Sequence, residues 1–310
     1  MKELLLNTIR GGAATVALFL AYLTIPMIGL VGGALAPFPA IYYALKAGRW
    51  AGIAVIAFSV AVFAGVGGIS NAALYLLQCG VVSVALPEFI RRGTGTARSI
   101  GSTVAIQVVL VAICVAIFAM SRGINLNAYL VKGIQASIGQ TIQLYEKSGL
   151  KGEELKAFQS AMAGAGELIS RIYPSLIIVV LATIAGINTL LVKRFEVKLP
   201  DAKLAGDFKS FRNPEPLVWI LIAAGFTMLI NSPPVQQVAL NILIVLSSLY
   251  FLQGLAVITH YFDRFAVSGF LRTLFYLFLL VTQFLVVVVA IIGIFDLWGD
   301  FRAPREQQNL

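Results

Sequence analysis

Seven carboxamide side chains interrupt long apolar stretches of this sequence, and they are the residues best able to bind a ligand there. An amide left without a partner in hydrocarbon costs several kcal/mol, so each should face another helix or a bound molecule. An interhelical hydrogen bond, worth about 0.6 kcal/mol on average, explains any one of them taken alone. As a group they could line a site for a neutral or zwitterionic small molecule. The seven residues are Asn71, Gln78, Gln107, Asn188, Asn241, Gln253 and Gln283.

One apolar stretch, residues 234–261, carries several of these polar groups. It is long enough to cross a hydrocarbon core of about 30 Å as a helix. At about 100° per residue, Asn241 and Gln253 fall on different sides of that helix, so they cannot both be hidden from lipid unless the helix lies inside a bundle. Tyr250 and Phe251 could add aromatic walls to a site. The predicted substrate-binding residues are Gln78, Asn188, Asn241, Tyr250 and Gln253.

The sequence shows no motif that would support catalysis or metal binding. It lacks an HExxH zinc motif, a Walker-type phosphate loop and a GxSxG nucleophile motif with a suitable base. Cys79 and Cys114 lie in separate apolar stretches, and no CxxC or Cys/His cluster surrounds them, so both are interpreted as packing residues. We therefore expect no enzyme activity, no cofactor and no metal.

Titratable residues near the ends of apolar stretches are expected to be solvated. Glu88 lies near one such end, while Asp296 and Asp300 flank the last stretch. No stretch carries the paired carboxylates of a proton relay. His260, the single histidine, adjoins Tyr261 near a predicted cytoplasmic end. We interpret it as an interfacial residue, with proton coupling as the alternative.

The composition indicates an all-α polytopic membrane protein. Of 310 residues, 59% are hydrophobic and 12% are charged, and the mean hydropathy is +0.90. Soluble domains carry about 25% charged residues, so this chain lacks the polar surface to face water all round. A transmembrane β-barrel would show alternating segments of about ten residues, whereas the apolar runs here are continuous.

The apolar runs predict a bundle of about 8–9 transmembrane helices with an amphipathic helical hairpin inserted between them. The first run continues past any convincing cleavage site and is therefore interpreted as a span and not as a signal peptide. The Gly pairs at 11–12, 32–33 and 67–68 are interpreted as close-packing or loop positions. The predicted segments are 11–31, 34–47, 50–67, 71–90, 99–120, 173–192, 216–231, 236–261 and 269–295.

The distribution of basic residues predicts a cytoplasmic N-terminus. With that orientation, the inside segments hold 15 basic and 7 acidic residues, and the outside segments hold 8 basic and 7 acidic residues. Such a bias is the positive-inside signal of a multi-pass membrane protein. The net charge of +9 therefore reflects topology, and we expect no nucleic-acid binding.

The segment 121–171 is predicted to form an extracytoplasmic amphipathic hairpin. Leu126, Leu130, Ile134, Ile138 and Ile142 recur every fourth residue, and a second helix follows the turn signal at Ser148-Gly149. Such a short piece cannot easily build its own core, so its apolar faces should lie on the bundle or on the membrane surface. It is either a lid over a cavity or a structural hairpin. The predicted domains are 1–120, with helices 1–5, then this hairpin, and 172–310, with helices 6–9.

The basic loop Lys193–Glu215 contains three lysines besides Lys193 and is predicted to lie at the cytoplasmic face. Each nearby basic residue contributes on the order of 1 kcal/mol of attraction to an anionic membrane surface. Topology explains this loop; a docking site for a cytoplasmic protein partner is the alternative.

Several stretches together resemble the YybS-like family of predicted bacterial membrane proteins, over nearly the whole chain. They are APFPAIYYALKAGRWAG, LPEFIRRGTGTARSIG, RIYPSLIIVVLATIAGINTLLVKR, NILIVLSSLYFLQGLAVITHYF and GIFDLWGDFR. In its N-terminal half that family is similar to the substrate-binding S-components of energy-coupling-factor vitamin transporters and to the cell-shape protein MreD. The resemblance implies a bacterial inner membrane and a transporter-like bundle. It supplies no substrate and no ligand residues.

Two functions follow as hypotheses. The first is a small-molecule binding or transport subunit that resembles an S-component and contacts the lipid bilayer and a small ligand. The second is a non-transporting membrane scaffold, like MreD, that docks envelope or cytoplasmic partners. A deep polar pocket lined by Asn188, Asn241 and Gln253 would favour binding, whereas a tightly packed bundle would favour the scaffold.

Overall fold

A computed structural model of the protein describes residues 2–25, 28–204 and 206–302, and every regular element in these ranges is helical. The all-α fold is therefore confirmed. Two short 3-10 turns, Glu196–Lys198 and Phe208–Ser210, and a π-helical turn, Leu76–Gly80, accompany the α-helices. The α-helices are α1 (Lys2–Thr24), α2 (Ile28–Leu35), α3 (Phe38–Ala47), α4 (Arg49–Tyr75), α5 (Val81–Arg91), α6 (Thr96–Arg122), α7 (Leu126–Lys147), α8 (Gly152–Arg194), α9 (Pro216–Thr227), α10 (Pro233–Arg264), α11 (Gly269–Val281) and α12 (Gln283–Gly299).

The long helices confirm a multi-pass membrane protein. In the described part of the chain, five helical runs are long and apolar enough to cross a membrane, and the bent pair α11–α12 would make six. The predicted number of 8–9 is higher for two reasons. The run Arg49–Arg91 counts once here although it contains a non-helical residue at Gly68, and the helices within 34–47 and 216–231 have only 10 and 12 residues. The five runs are Lys2–Thr24, Arg49–Arg91, Thr96–Arg122, Gly152–Arg194 and Pro233–Arg264.

The chain forms two compact units. Unit 1 comprises Met1–Ser170 and Ile177–Ala205, and unit 2 comprises Arg171–Leu176 and Gly206–Leu310. The predicted division into 1–120, 121–171 and 172–310 stays a prediction. Each unit is described separately below.

In unit 1, the run Arg49–Arg91 reverses direction at Gly68. This glycine has φ 77° and ψ 175°, which is not helical. The rings of Phe63 and Tyr75 lie 5.1 Å apart and both contact Phe19, although twelve residues of straight helix would separate them by about 18 Å. The run therefore contains two antiparallel helices, as the predicted boundary between 50–67 and 71–90 requires.

The start of unit 1 differs from the prediction. Instead of one span over 11–31, α1 ends at Thr24 and α2 begins at Ile28. A Cβ added at Gly29 would lie 2.6 Å from the carbonyl oxygen of Ala21, so glycine lets α2 pack directly on the backbone of α1. The apolar run is continuous through this turn, which is why hydropathy alone misplaced the boundary. The pair Gly32-Gly33 is confirmed as a close-packing position.

The hairpin of α7 and the first part of α8 is held together by contacts between its own two helices, which the sequence analysis did not predict. Its two helices pack on each other, since Gly166 is buried against Ile138 and the rings of Tyr145 and Phe158 lie 4.6 Å apart. The turn at Ser148-Gly149 is confirmed, with Gly149 at φ 107°. Helix α8 then continues without a break into the predicted span 173–192.

In unit 2, α10 is the longest helix that lies wholly within the unit, and α12 crosses it closely. The crossing point is formed by Gly254 and Gly293, where any added Cβ would overlap backbone atoms of the other helix. Helix α9 packs on the first half of α10, and Gln236 donates to the carbonyl of Met228 at the turn between them, 3.2 Å away.

The predicted span 269–295 is not one straight helix. Helices α11 and α12 meet at Thr282 with a bend of 110°. Arg272, in the first turn of α11, contacts Asp263 at 2.7 Å, while the carbonyl of Phe301, just after α12, accepts a 2.9 Å hydrogen bond from Tyr261. Both ends of the bent pair thus return to the same end of α10, in the manner of a re-entrant hairpin.

The glycine crossing yields a stability prediction. Gly293→Ala would place a methyl group against the carbonyl oxygen of Tyr250 and within 2.7 Å of the amide nitrogen of Gly254. Because backbone atoms cannot move aside, we expect a loss in the upper part of the range of about 1–3 kcal/mol for overpacking. The measurement is the thermal unfolding midpoint of the purified protein in detergent.

Gly225→Ala is the matched control, because Gly225 is also helical but has open space around it. It should leave the midpoint unchanged or raise it slightly. Equal midpoints for both variants would contradict the close crossing.

Candidate functional site

Two of the five predicted site residues lie in unit 1. Asn188 is buried, and its amide nitrogen donates to the carbonyls of Ala34 and Ile184 at 2.8 and 2.7 Å. Gln78 is half-buried in the π-helical turn Leu76–Gly80. The carbonyls of Leu77 and Gln78 accept hydrogen bonds from the buried amide of Gln107, at 3.0 and 2.8 Å. The amides of Asn188 and Gln107 therefore bond to backbone carbonyls of neighbouring helices, and Asn188 also bonds to a carbonyl of its own helix.

Asn241, in unit 2, bridges two backbone groups beside Pro174. Its Oδ1 accepts from the N–H of Ser175 at 2.8 Å, and its Nδ2 donates to the carbonyl of Arg171 at 2.8 Å. In a regular helix these two groups would be each other's partners. Because proline disturbs the ladder around it, the Asn241 amide stabilises the helix where Pro174 interrupts it.

Gln253 lies at the centre of a buried polar cluster. Its Oε1 accepts from the backbone N–H of Asn213 at 2.9 Å, and its Nε2 donates to Asp296 Oδ2 at 2.9 Å. Asn213 also donates to the carbonyl of Leu249 at 3.0 Å. Tyr250 is fully buried one turn away, and its hydroxyl has no hydrogen-bond partner among the described residues. This cluster joins the segment before α9 to the middle of α10 and the end of α12.

Asp296 is the charged centre of the cluster. It has no exposed surface, and Arg302, whose side chain is 12% exposed, donates to its Oδ2 at 2.5 Å. Arg302 also donates to the carbonyls of Lys209 and Phe211, at 2.8 and 2.9 Å. The expectation that Asp296 is a solvated end residue is therefore wrong: α12 packs its carboxylate into unit 2, where an arginine from the following turn neutralises it.

A cavity of about 450 Å³, largely open to the surroundings of the protein, lies beside this ion pair, with charged and polar residues around it. Arg212 reaches Asp300 at 3.4 Å and donates to the carbonyl of Leu297 at 3.0 Å. Asp263 accepts a hydrogen bond from Lys209 and raises the pKa of Lys209, which stays protonated at neutral pH. The lining residues are Asp207, Lys209, Ser210, Arg212, His260, Asp300 and Arg302.

The five predicted residues thus divide into separate environments. Gln253 and Tyr250 belong to the cluster beside the cavity, whereas Asn241 lies twelve residues away on the same helix, about 18 Å along its axis. Asn188 and Gln78 have their own surroundings in unit 1. As a joint substrate-binding set these residues stay a prediction.

The residues that the sequence interpretation missed are Asp296, Arg302 and Asn213. One signal could have found Asp296: an acidic residue that ends the apolar run IIGIFD is a functional-site hypothesis by default in a membrane protein. His260, predicted to be interfacial, is half-buried and lines the cavity. Its place in the same cavity as Asp300 and Arg302 depends on the bend at Thr282, for which the sequence gives no sign.

The basic loop Lys193–Glu215 is folded onto the helices of each unit. In unit 1, Leu199 is buried in the core, and Arg91 contacts Asp201 at 3.3 Å. In unit 2, the stretch from Lys209 to Asn213 supplies the carbonyls and the amide described above. A protein partner at this loop stays a prediction.

Comparison with known proteins identifies a family that matches most of the chain. A family designated DUF2232 and described as a predicted membrane protein matches residues 13–297. No curated protein and no solved structure matches the chain. The resemblance to the YybS-like family, and through it to S-components and MreD, stays a prediction.

The amide at Asn241 gives a test by double-mutant cycle. Asn241→Ala should lower the free energy of unfolding by about 1 kcal/mol, because it leaves the backbone groups of Arg171 and Ser175 without this partner. In a Pro174→Ala background the N–H of Ser175 can bond to the carbonyl of Arg171 within the helix. Asn241→Ala should then lower the free energy of unfolding by less. Unfolding by titration with SDS measures the effect of Asn241→Ala in both backgrounds.

Ser248→Ala is the control, because the Ser248 hydroxyl bonds only within its own helix, to the carbonyl of Val245. This substitution should leave the free energy of unfolding nearly unchanged. An equal cost of Asn241→Ala with and without Pro174 would show that the amide does not repair the proline site.

The Asp296–Arg302 pair gives an asymmetric prediction. Arg302→Gln should lower the free energy of unfolding by about 3–5 kcal/mol, because it leaves the buried carboxylate of Asp296 without its counter-charge. The double variant Asp296→Asn with Arg302→Gln should recover part of that loss, since no buried charge remains. Thermal unfolding midpoints of the single and double variants decide it; a strictly additive double variant would argue that the two residues do not interact.

Proposed function

The chain belongs to the DUF2232 family of predicted membrane proteins, and from this premise we propose that it is a small-molecule binding or transport subunit. The observation that supports the proposal is the cavity of about 450 Å³ beside the Asp296–Arg302 pair. Ligand sites for small molecules usually have volumes of about 300–1,000 Å³. The chain is an integral, multi-pass membrane protein in either case.

The lining of the cavity indicates the kind of ligand. It brings together three cationic side chains, two carboxylates and the imidazole of His260. A molecule with both signs of charge can pair with both sets and take the place of ion pairs such as Arg212–Asp300, whereas a neutral apolar solute cannot. The ligand class that fits is therefore a small charged or zwitterionic molecule.

The cavity is connected to the helix packing, which a transport subunit needs. Arg302 joins the cavity to the buried Asp296, and Gln253 carries this contact into α10. A ligand that draws on Arg302 or Arg212 changes interactions that hold α12 against α10. In this proposal the chain lies in a bacterial inner membrane with its N-terminus in the cytoplasm, and the cavity faces the cytoplasmic side.

A scaffold function is the second candidate, and one observation favours it. Helix α7 has no buried residue over its 22 residues, and it exposes Tyr129, Leu144 and Tyr145. Exposed aromatic and aliphatic residues on a projecting hairpin are typical of a surface that contacts a protein or a membrane. A scaffold of this kind would keep its partner when the charges of the cavity are removed.

The binding function is tested by thermal shift. Phosphoethanolamine, aspartate, glycine betaine and inorganic phosphate are added separately to the detergent-purified protein. We expect at least one zwitterion to stabilise it, by about 2.7 kcal/mol at a concentration 100-fold above Kd. Arg212→Gln and Asp300→Asn should each remove the effect, because they take away one sign of charge.

Lys132→Ala is the control, since Lys132 is exposed on α7 and lies outside the cavity. It should keep the full shift. If no probe stabilises the wild type, or if the cavity variants respond like the wild type, the cavity does not bind small charged molecules.

A further inference from the structure

An apolar groove lies beside the charged cavity at the same end of α10. It has a volume of about 430 Å³, and residues of α10, α12 and the turns that follow them line it. Among them are Val257, Phe262, Phe265 and Ile292. Apart from backbone atoms and the Tyr261 hydroxyl, its walls offer hydrocarbon and aromatic rings.

The cavity and the groove share one wall. Tyr261 and Phe301 line the groove, while their chain neighbours His260 and Arg302 line the cavity. The hydroxyl of Tyr261 donates to the carbonyl of Phe301 at 2.9 Å and ties the wall together. A molecule with a charged head and an apolar tail could therefore fill both spaces by lying across this one contact.

The medium around the protein indicates what fills the groove. The chain is a multi-pass membrane protein, and the groove lies at the end of α10, one of its candidate spans, where acyl chains can reach it. Water in it would find almost no hydrogen-bond partners. The apolar half of the ligand is therefore a lipid tail.

The charged half follows from which side chains can change partners. Asp296 and Arg302 are buried and already compensate each other. Arg212 and Asp300 are 39% and 61% exposed and only 3.4 Å apart, so their mutual attraction is weak and easily exchanged. Lys209 lies 3.6 Å from Asp207 in the same cavity and also donates to Asp263, and all three side chains are partly exposed.

These partly exposed cationic and acidic side chains fit a headgroup that carries both signs of charge. A phosphodiester would bind Arg212 and Lys209, because phosphate oxygens accept charge-assisted hydrogen bonds from both. A primary ammonium would bind Asp300 and Asp207, to which it can donate three hydrogen bonds. A quaternary ammonium has no N–H to donate, and a glycerol headgroup carries no positive charge.

We infer that the cavity and the groove together bind a phospholipid with a primary-amine headgroup. The inference rests on the proposed function and names the ligand class of the same site. The acyl chain lies in the groove, the phosphate contacts Arg212 and Lys209, and the amine contacts Asp300 and Asp207.

Native mass spectrometry with lipids of identical acyl chains tests it. The full-length protein in detergent is mixed with equal amounts of phosphatidylethanolamine, phosphatidylcholine and phosphatidylglycerol. We expect the ethanolamine lipid to be retained about tenfold over each of the others, the factor for one charge-assisted hydrogen bond. Arg212→Gln should abolish retention, and Asp300→Asn should remove the preference over the choline lipid. Equal retention of all three lipids by the wild type would overturn the inference.

A substitution in the groove tests the contribution of the acyl tail separately from that of the headgroup. Ile292→Trp fills the groove and should reduce retention of the ethanolamine lipid, while Ile113→Trp, at an exposed position on α6, should not. If Ile292→Trp fails to fold, Ile292→Ala provides the same test, because it widens the groove and weakens its contact with the tail.

Soluble glycerophosphoethanolamine distinguishes this inference from the proposed function. It has the same headgroup and no tail. If it stabilises the wild type and Arg212→Gln removes the effect, but no lipid is preferred, the cavity binds a soluble molecule and the lipid inference is wrong. If neither it nor any lipid binds, both the inference and the proposed function are contradicted.

Discussion

Polar groups inside a membrane must find partners within the protein, and the helices of this chain are arranged around that constraint. Asn241, Asn188 and Gln107 each donate to backbone carbonyls of a neighbouring segment. Their partners lie where the helices are irregular: beside Pro174, at the last turn of α2, and in the π-helical turn Leu76–Gly80. Such places leave carbonyls without their regular partners. At these three places an amide from a neighbouring helix therefore supplies a hydrogen bond to the backbone.

Asp296 is subject to the same constraint, and because its side chain is charged it needs a counter-charge within the protein. Replacing a buried ion pair by apolar groups is often neutral or stabilising, so stability alone does not explain why a carboxylate lies at this position. Its partners come from separate parts of the chain, Gln253 on α10 and Arg302 after α12, and Arg302 extends to the carbonyls of Lys209 and Phe211. The charge thus fixes the relative position of three segments and places an arginine at the wall of the cavity. A structural ion pair and a binding site use the same residues here.

The sequence predicted the features that depend on composition and short-range pattern. The membrane class, the reversal near Gly68 and the turn at Ser148-Gly149 follow from hydropathy, glycine position and helical periodicity. The turn between α1 and α2 was misplaced because the apolar run is unbroken there, and only the close approach of Gly29 to Ala21 decides where the chain turns. The polar cluster was missed for a related reason. Its contacts join residues about forty positions apart, and no pattern along the chain shows which distant helices are neighbours.

The bend at Thr282 explains why the site exists at the end of α10. A straight helix from Gly269 onwards would hold Asp296 about 36 Å from Arg272, near the opposite face of a membrane. With the 110° bend, both residues reach the same end of α10, where Arg272 contacts Asp263 and Asp296 contacts Gln253. The same bend brings Phe301 to Tyr261, which forms the wall between the charged cavity and the apolar groove. One irregular residue in an apolar run thus determines both the burial of the charge and the two-sided shape of the space beside it.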